Sequence, residues 1–202
     1  MIRPFGDAAL LVDLASADLA QSLAASLRAD PPPGMVAAVP GLASLLVELD
    51  PLSADADVVS SVIERRLVGL GPMPPSGRLH TIPVTYDGPD LESVAQLTGL
   101  APADVVARHS SSELRVLFCG FAPGFAYLGD LPFELRVERL ATPRTRTPAG
   151  SVAIAGSMSG IYPADLPGGW RMIGRTSVAL FDPYLDPPAL MLPGDRVRFE
   201  PA

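Results

Sequence analysis

The chain has 202 residues, 48% of them hydrophobic and 18% charged, a composition that supports a sizeable core and excludes a disordered chain. Its net charge of -7 argues against a general nucleic-acid role, because neutralising phosphates needs clustered cations. The sequence contains no lysine and no asparagine, which excludes Schiff-base lysine chemistry and the lysine of a phosphate-binding loop; a fixed cation in any site must be arginine or protonated histidine.

Residues 1–70 read as a small α/β unit. Ile2–Phe5 and Ala8–Leu14 have the character of short strands around a Gly-Asp turn. Ser16 is placed to cap a helix over Ala17–Ala29, with apolar residues at 19, 20, 23, 24 and 27 on one face, stopped by Asp30 and three prolines. Val36–Val39 and Ser44–Leu49 form an expected hairpin around Pro40-Gly41, and Asp55 or Asp57 opens a second helix to about Val68. Three prolines among glycines in Gly69–Gly77 interrupt both helix and strand, so residues 71–77 are expected to link to a second domain over 78–202. There His80–Tyr86 reads as a strand, and Asp90–Thr98 and Pro102–His109 as short helices. From Glu113 onward the text is β-like: Leu114–Phe118, Ser151–Ala155, Arg171–Ile173, Ser177–Phe181 and Arg196–Phe199 are short apolar or β-branched runs between turns, the signature of a barrel or sandwich.

No apolar run approaches about 18 residues, so no membrane-spanning helix is expected. The N-terminus carries Asp7 and Asp13 and lacks a basic region before a long apolar one, so no secretory signal is expected either. Cys119 is the single cysteine; an internal disulfide is impossible, and a reducing cytoplasm is the simplest expected setting. With one cysteine and two histidines, His80 and His109, no zinc-binding spacing exists and no metal ligands are expected. Gly156-Ser-Met-Ser-Gly160 has Met158 where a nucleophile elbow needs serine.

The informative stretch is Gly120–Thr176, with GFAPGFAYLGDLP, TPRTRTPAGSVAIAG and SGIYPADLPGGWRMIGRT. Residues 136–175 hold six arginines against Glu138 and Asp165, a locally cationic segment suited to a small anion or simply a solvated surface. Arg144, between Pro143 and Pro148, is either a fork for a carboxylate or phosphate or a structural arginine in its loop. Ser151 at a strand start either donates to a ligand or caps the strand. Tyr162, Trp170 and Arg175 sit beside glycines or prolines, where a ligand, a partner surface or a core edge is close. Phe121, Phe125 and Tyr127 alternate, which places all three on one face if the segment is extended. His109 is the one histidine near these motifs, a base near neutral pH or a partner of its helix terminus. Cys119, in an apolar run, reads as buried and inert.

These strings, with the RPFGDAALLV opening and the IPV-x-Y strand at 82–86, resemble the family of the 5-oxoprolinase B component, also called allophanate hydrolase subunit 1, which includes the sporulation histidine-kinase inhibitor. The resemblance implies an α+β chain: a small N-terminal α/β domain followed by a cyclophilin-like β-barrel. It implies one component of a hydrolase that opens 5-oxoproline to glutamate at the expense of ATP, with Mg, in a complex with a cyclophilin-like C component and a third subunit. The nucleotide is then not bound fully by this chain alone, and the isolated chain is inactive. Within that expectation Arg144, His109 and Ser151 carry catalysis, and Phe121, Phe125, Tyr127, Met158, Tyr162, Trp170 and Arg175 bind the substrate. Met158-Ser159 stands where the family usually has Gln-Thr, and Ala126 where it usually has Pro. Two other functions occur among such proteins: inhibition of a sensor histidine kinase, and carboxyl transfer on urea.

Overall fold

The computed structural model describes residues 1–71 and 77–202, so most of the expected linker, residues 72–76, lies outside the described residues. The chain divides into two compact units, Met1–Ser76 and Gly77–Ala202.

The first unit holds β1 (Ile2–Pro4), β2 (Ala9–Asp13), α1 (Ala17–Ala29), β3 (Met35–Pro40), β4 (Ser44–Leu49) and α2 (Ala56–Leu67). Its strands pair antiparallel in the order β1-β2-β4-β3. Alternation along β2 and β4 turns Leu10, Val12, Leu45, Val47 and Leu49 to one face, which packs on Leu23 and Leu27 of α1 and Val59 and Ile63 of α2. Ser16 Oγ accepts from Leu19 N at 3.3 Å at the start of α1. Asp55, not Asp57, caps α2, accepting from the backbone N–H of Asp57 and Val58. Arg66 in the last turn of α2 donates to Ser26 O and Asp30 O at the end of α1, tying the two helices together at that end.

The second unit holds β5 (Leu79–Val84), α3 (Leu91–Thr98), α4 (Pro102–Ser111), β6 (Glu113–Cys119), β7 (Ala126–Gly129), a 3-10 turn at Phe133–Leu135, β8 (Arg144–Thr147), β9 (Ser151–Ala155), β10 (Met158–Ile161), β11 (Leu166–Gly168), β12 (Arg171–Arg175) and β13 (Arg196–Pro201). Seven strands form one sheet in the order β12-β9-β10-β7-β6-β13-β5. Only β13 and β5 run parallel. Thr85 and Arg175, just past β5 and at the end of β12, exchange backbone hydrogen bonds of 2.9 Å in both directions, so the two edges of the sheet meet and the barrel nearly closes. Inside lie Ile82, Val84, Leu114, Val116, Leu128, Ile154, Ile161, Ile173, Val197 and Phe199. The small α/β domain followed by a barrel domain is the architecture the sequence led us to expect. Strands β8 and β11 form a separate two-stranded ribbon.

Several expectations are corrected. Ser177–Phe181 is not a strand; Leu180 packs into the core, Val178 N donates to Thr176 Oγ1, and the segment's only bridge among the described residues is Phe181 with Ala189, because the edge of β12 is already taken by Thr85. Strands β7, β8, β10 and β11 were not expected: each is three or four residues long and contains or adjoins Gly or Pro, so no periodicity marks it. Phe121, Phe125 and Tyr127 do not share an extended segment, because residues 120–125 form a turn.

Candidate functional site

The connection between β6 and β7 is a tight reversal. Gly120 N donates to Phe125 O and Phe125 N to Ala122 O, and two residues take left-handed backbone, Phe121 at φ 71° and Gly124 at φ 82°. Gly124 is required on two counts: its φ, and the Phe181 Cβ and Leu180 O that a side chain there would strike. A phenylalanine at positive φ is strained by roughly 1–3 kcal/mol, and such strain gathers at functional sites. Phe121 is also 57% exposed.

This reversal, the β10 exit and the Gly168-Gly169 turn bring five rings together. Phe125 is the hub. Its ring meets Phe121 edge-on at 5.5 Å, Tyr127 at 4.9 Å, Tyr162 at 5.4 Å and Trp170 at 5.7 Å. The absence of a side chain at Gly168 lets Tyr162 lie against the β11 backbone. The rings and the Pro167–Gly169 backbone enclose a cavity of about 110 Å³ with Arg139 at its rim. That is room for roughly four waters, well below a drug-sized site of about 300–1,000 Å³. Burial raises the pKa of the Tyr127 and Tyr162 hydroxyls, so both are proton donors at neutral pH.

Five of the expected substrate-binding residues, Phe121, Phe125, Tyr127, Tyr162 and Trp170, line this cavity. Met158 packs against the same aromatic cluster without lining the cavity. The other expected residues lie elsewhere. Arg144 is in β8, its guanidinium 2.7 Å from Asp90 Oδ1, while Asp90 Oδ2 accepts from Met172 N at 2.7 Å. The arginine is thus bound into the scaffold, not offered to a ligand. His109 is fully buried in the barrel, stacked on Phe199 at 4.5 Å with both ring nitrogens hydrogen-bonded. Burial pushes its pKa down to about 3, so the expected neutral-pH base is an uncharged core group. Ser151 is buried at the start of β9, where its carbonyl accepts from Tyr162 N. Arg175 is exposed and forks onto Asp87. Cys119 is half-buried, and burial raises its thiol pKa to about 11, which suits the inert role read from its neighbours.

Sequence reasoning missed Arg139 and Asp90. Arg139 was one of six arginines in its segment, with nothing local to single it out. Of these, Arg144, Arg146 and Arg175 face carboxylates, and Arg171 bonds Glu138 O and Ser93. Arg136 lies over Phe133. Arg139 alone among them reaches the cavity, its guanidinium carbon 6.0 Å from the Trp170 ring centroid.

Residues 1–191 match the family described as the carboxyltransferase domain, subdomain C and D. The chain is 46% identical to the 5-oxoprolinase B component of Escherichia coli O157:H7, over 84% of this chain and 79% of that protein. It is 35% identical to the protein of the same name from Bacillus subtilis (strain 168), over 98% of this chain and 91% of that one. The crystal structure of TTHA0988 superposes with a TM-score of 0.84 at 38% identity, covering 100% of this chain, which spans only 40% of that longer one. The Kluyveromyces lactis urea carboxylase superposes at 0.77 with 20% identity, a likeness of fold alone.

Proposed function

This chain belongs to the carboxyltransferase-domain family that includes the 5-oxoprolinase B components, and we propose that it is itself the B component of an enzyme that opens 5-oxo-L-proline to L-glutamate with ATP and water. The observation that carries the proposal is the small aromatic cavity, built by the motif residues and open at Phe121 and Arg139. A five-membered lactam is flat, mostly apolar and small, and it suits stacked aromatic walls with phenolic donors at its edge.

In this proposal the chain's own contribution is binding and orientation. Tyr127 and Tyr162 supply neutral O–H donors to a lactam oxygen, and the rings exclude water from the ring face. The chain has no lysine, which removes the lysine of a phosphate-binding loop. In this proposal the nucleotide, with magnesium, is held by the assembled complex with the C component and a third subunit.

The test is glutamate release from 5-oxoproline plus ATP, with the chain alone and with its partners. We expect negligible turnover alone and ATP-dependent turnover on assembly. Full turnover by the chain alone would overturn the shared site, and none on assembly would overturn the reading. A second reading, inhibition of a sensor histidine kinase, draws on exposed Phe5, Val36 and Val39 in the first unit. Stoichiometric kinase binding without lactam turnover would favour it.

A further inference from the structure

We propose that Arg139 is the specificity-determining residue of the aromatic cavity: it binds the carboxylate of a small ring-shaped acid whose ring lies against Phe125, Tyr127 and Trp170. The assignment deepens the 5-oxoprolinase reading but rests on it only for the choice of one probe.

Three observations carry it. Arg139 is the single charged side chain lining the cavity, and no ion pair occupies it among the described residues. The other arginines of residues 136–175 do not line the cavity: Arg144 pairs with Asp90, Arg146 with Asp165 and Arg175 with Asp87, Arg171 bonds Glu138 O, and Arg136 lies over Phe133. A guanidinium left without a carboxylate beside an aromatic-walled cavity in a chain of net charge -7 is an unfilled half of a fork-to-carboxylate pair. Its position, 6.0 Å from the Trp170 centroid, places the charge at the rim over the ring face. An acid bound there leaves its ring inside and its carboxylate outside, so the charge is never buried unpaired. The cavity's volume of about 110 Å³ limits the buried part to a single small ring. Strained, exposed Phe121 stands at the same mouth.

The chain provides its own reporter, because Trp170 is the only tryptophan. Tryptophan fluorescence of the full chain is titrated with 5-oxoproline (ring lactam and carboxylate), cyclopentanecarboxylate (ring and carboxylate only) and 2-pyrrolidinone (ring lactam only). We expect both acids to change the emission saturably and 2-pyrrolidinone to bind at least about tenfold more weakly than 5-oxoproline. Arg139→Gln should weaken both acids by about tenfold or more, Arg139→Lys should restore part of the loss, and Arg136→Gln, the neighbouring arginine outside the cavity, should change nothing. Arg139 is on the surface, so a far-ultraviolet dichroism spectrum identical to the parent is expected and checks folding. The proposal is overturned if neither acid binds, if 2-pyrrolidinone binds as tightly as 5-oxoproline, or if Arg139→Gln binds the acids unchanged. Cyclopentanecarboxylate binding that depends on Arg139, with no binding of 5-oxoproline and no turnover in the assembled complex, would uphold Arg139 while sinking the 5-oxoprolinase reading.

Discussion

Ser159 Oγ donates to Ala153 O at 3.2 Å, so it has no second proton to give and must accept from His109 Nε2 at 2.9 Å. His109 Nδ1 is then the acceptor for the Tyr86 hydroxyl at 2.8 Å. The tautomer is set by this chain of bonds, and His109 and Ser159 are fully buried, where an orphaned donor has no water to turn to. Ser159→Ala should destabilise the protein by about 1–3 kcal/mol, because it strands the Nε2–H. Ser159→Thr, the residue usual in the family the chain resembles, should cost less because it keeps the hydroxyl. Urea denaturation checks both, and equal stability of the Ala variant would refute the chain of bonds. At this scale the sequence was legible for the aromatic residues, whose glycine neighbours announced close approach. It left Arg144 and His109 open between a site role and a structural one, because a side chain's charge and reach say nothing about which partner the fold brings to it.

Asp90 joins three elements: it precedes α3, holds Arg144 of β8 and accepts from Met172 N of β12. The ribbon of β8 and β11, which carries Gly168 beside the cavity, is thereby tied to the barrel. Asp90→Asn keeps the shape but leaves the Arg144 guanidinium, 27% exposed, without a counter-charge. We expect a loss of about 1–3 kcal/mol, discounted from a fully buried pair for solvent screening. Arg144→Met should cost at least as much as Asp90→Asn, since it strands the Asp90 carboxylate, 10% exposed, the more deeply buried half of the pair. A melting series of the two variants decides, and an Arg144→Met variant as stable as the parent would show that the pair does not tie the ribbon to the barrel. The helices were legible as elements: α1, α2, α3 and α4 have caps or an N1 proline and apolar faces at helical spacing. The four missed strands carry their hydrogen-bonding partner far away in sequence and no local pattern of their own.

For the whole molecule, the pH dependence of folding follows from His109. Its folded pKa of about 3 lies below the ordinary 6.5, so the unfolded chain binds a proton that the native barrel excludes. That contribution is fully present above about pH 6.5 and is lost as pH falls toward 3. The interval from pH 6 to 5 lies above the carboxylate range, and there stability should fall by on the order of 1 kcal/mol per pH unit. Below it, Asp87 and Asp165, held low by Arg175 and by the Ala149 N–H with Arg146 respectively, add their own loss. Denaturant midpoints measured across pH 5–7 should slope in the parent and flatten in His109→Gln; a flat parent curve would mean that the imidazole is not excluded from protonation.

The sequence alone pointed to a small α/β unit ahead of a strand-rich one, to the β-like text from Glu113 onward, and to a cluster of aromatic residues beside glycines in Gly120–Thr176. Those features rest on short-range physics: capping, periodicity, and the backbone freedom of glycine beside large rings. Only the tertiary structure decided which arginine faces the cavity. Ion pairing in this chain joins residues as far apart as Asp90 and Arg144 or Asp87 and Arg175, and no local pattern marks those partners. Arg144 and Arg175 meet carboxylates in this way, and Arg139 is the arginine that lines the cavity.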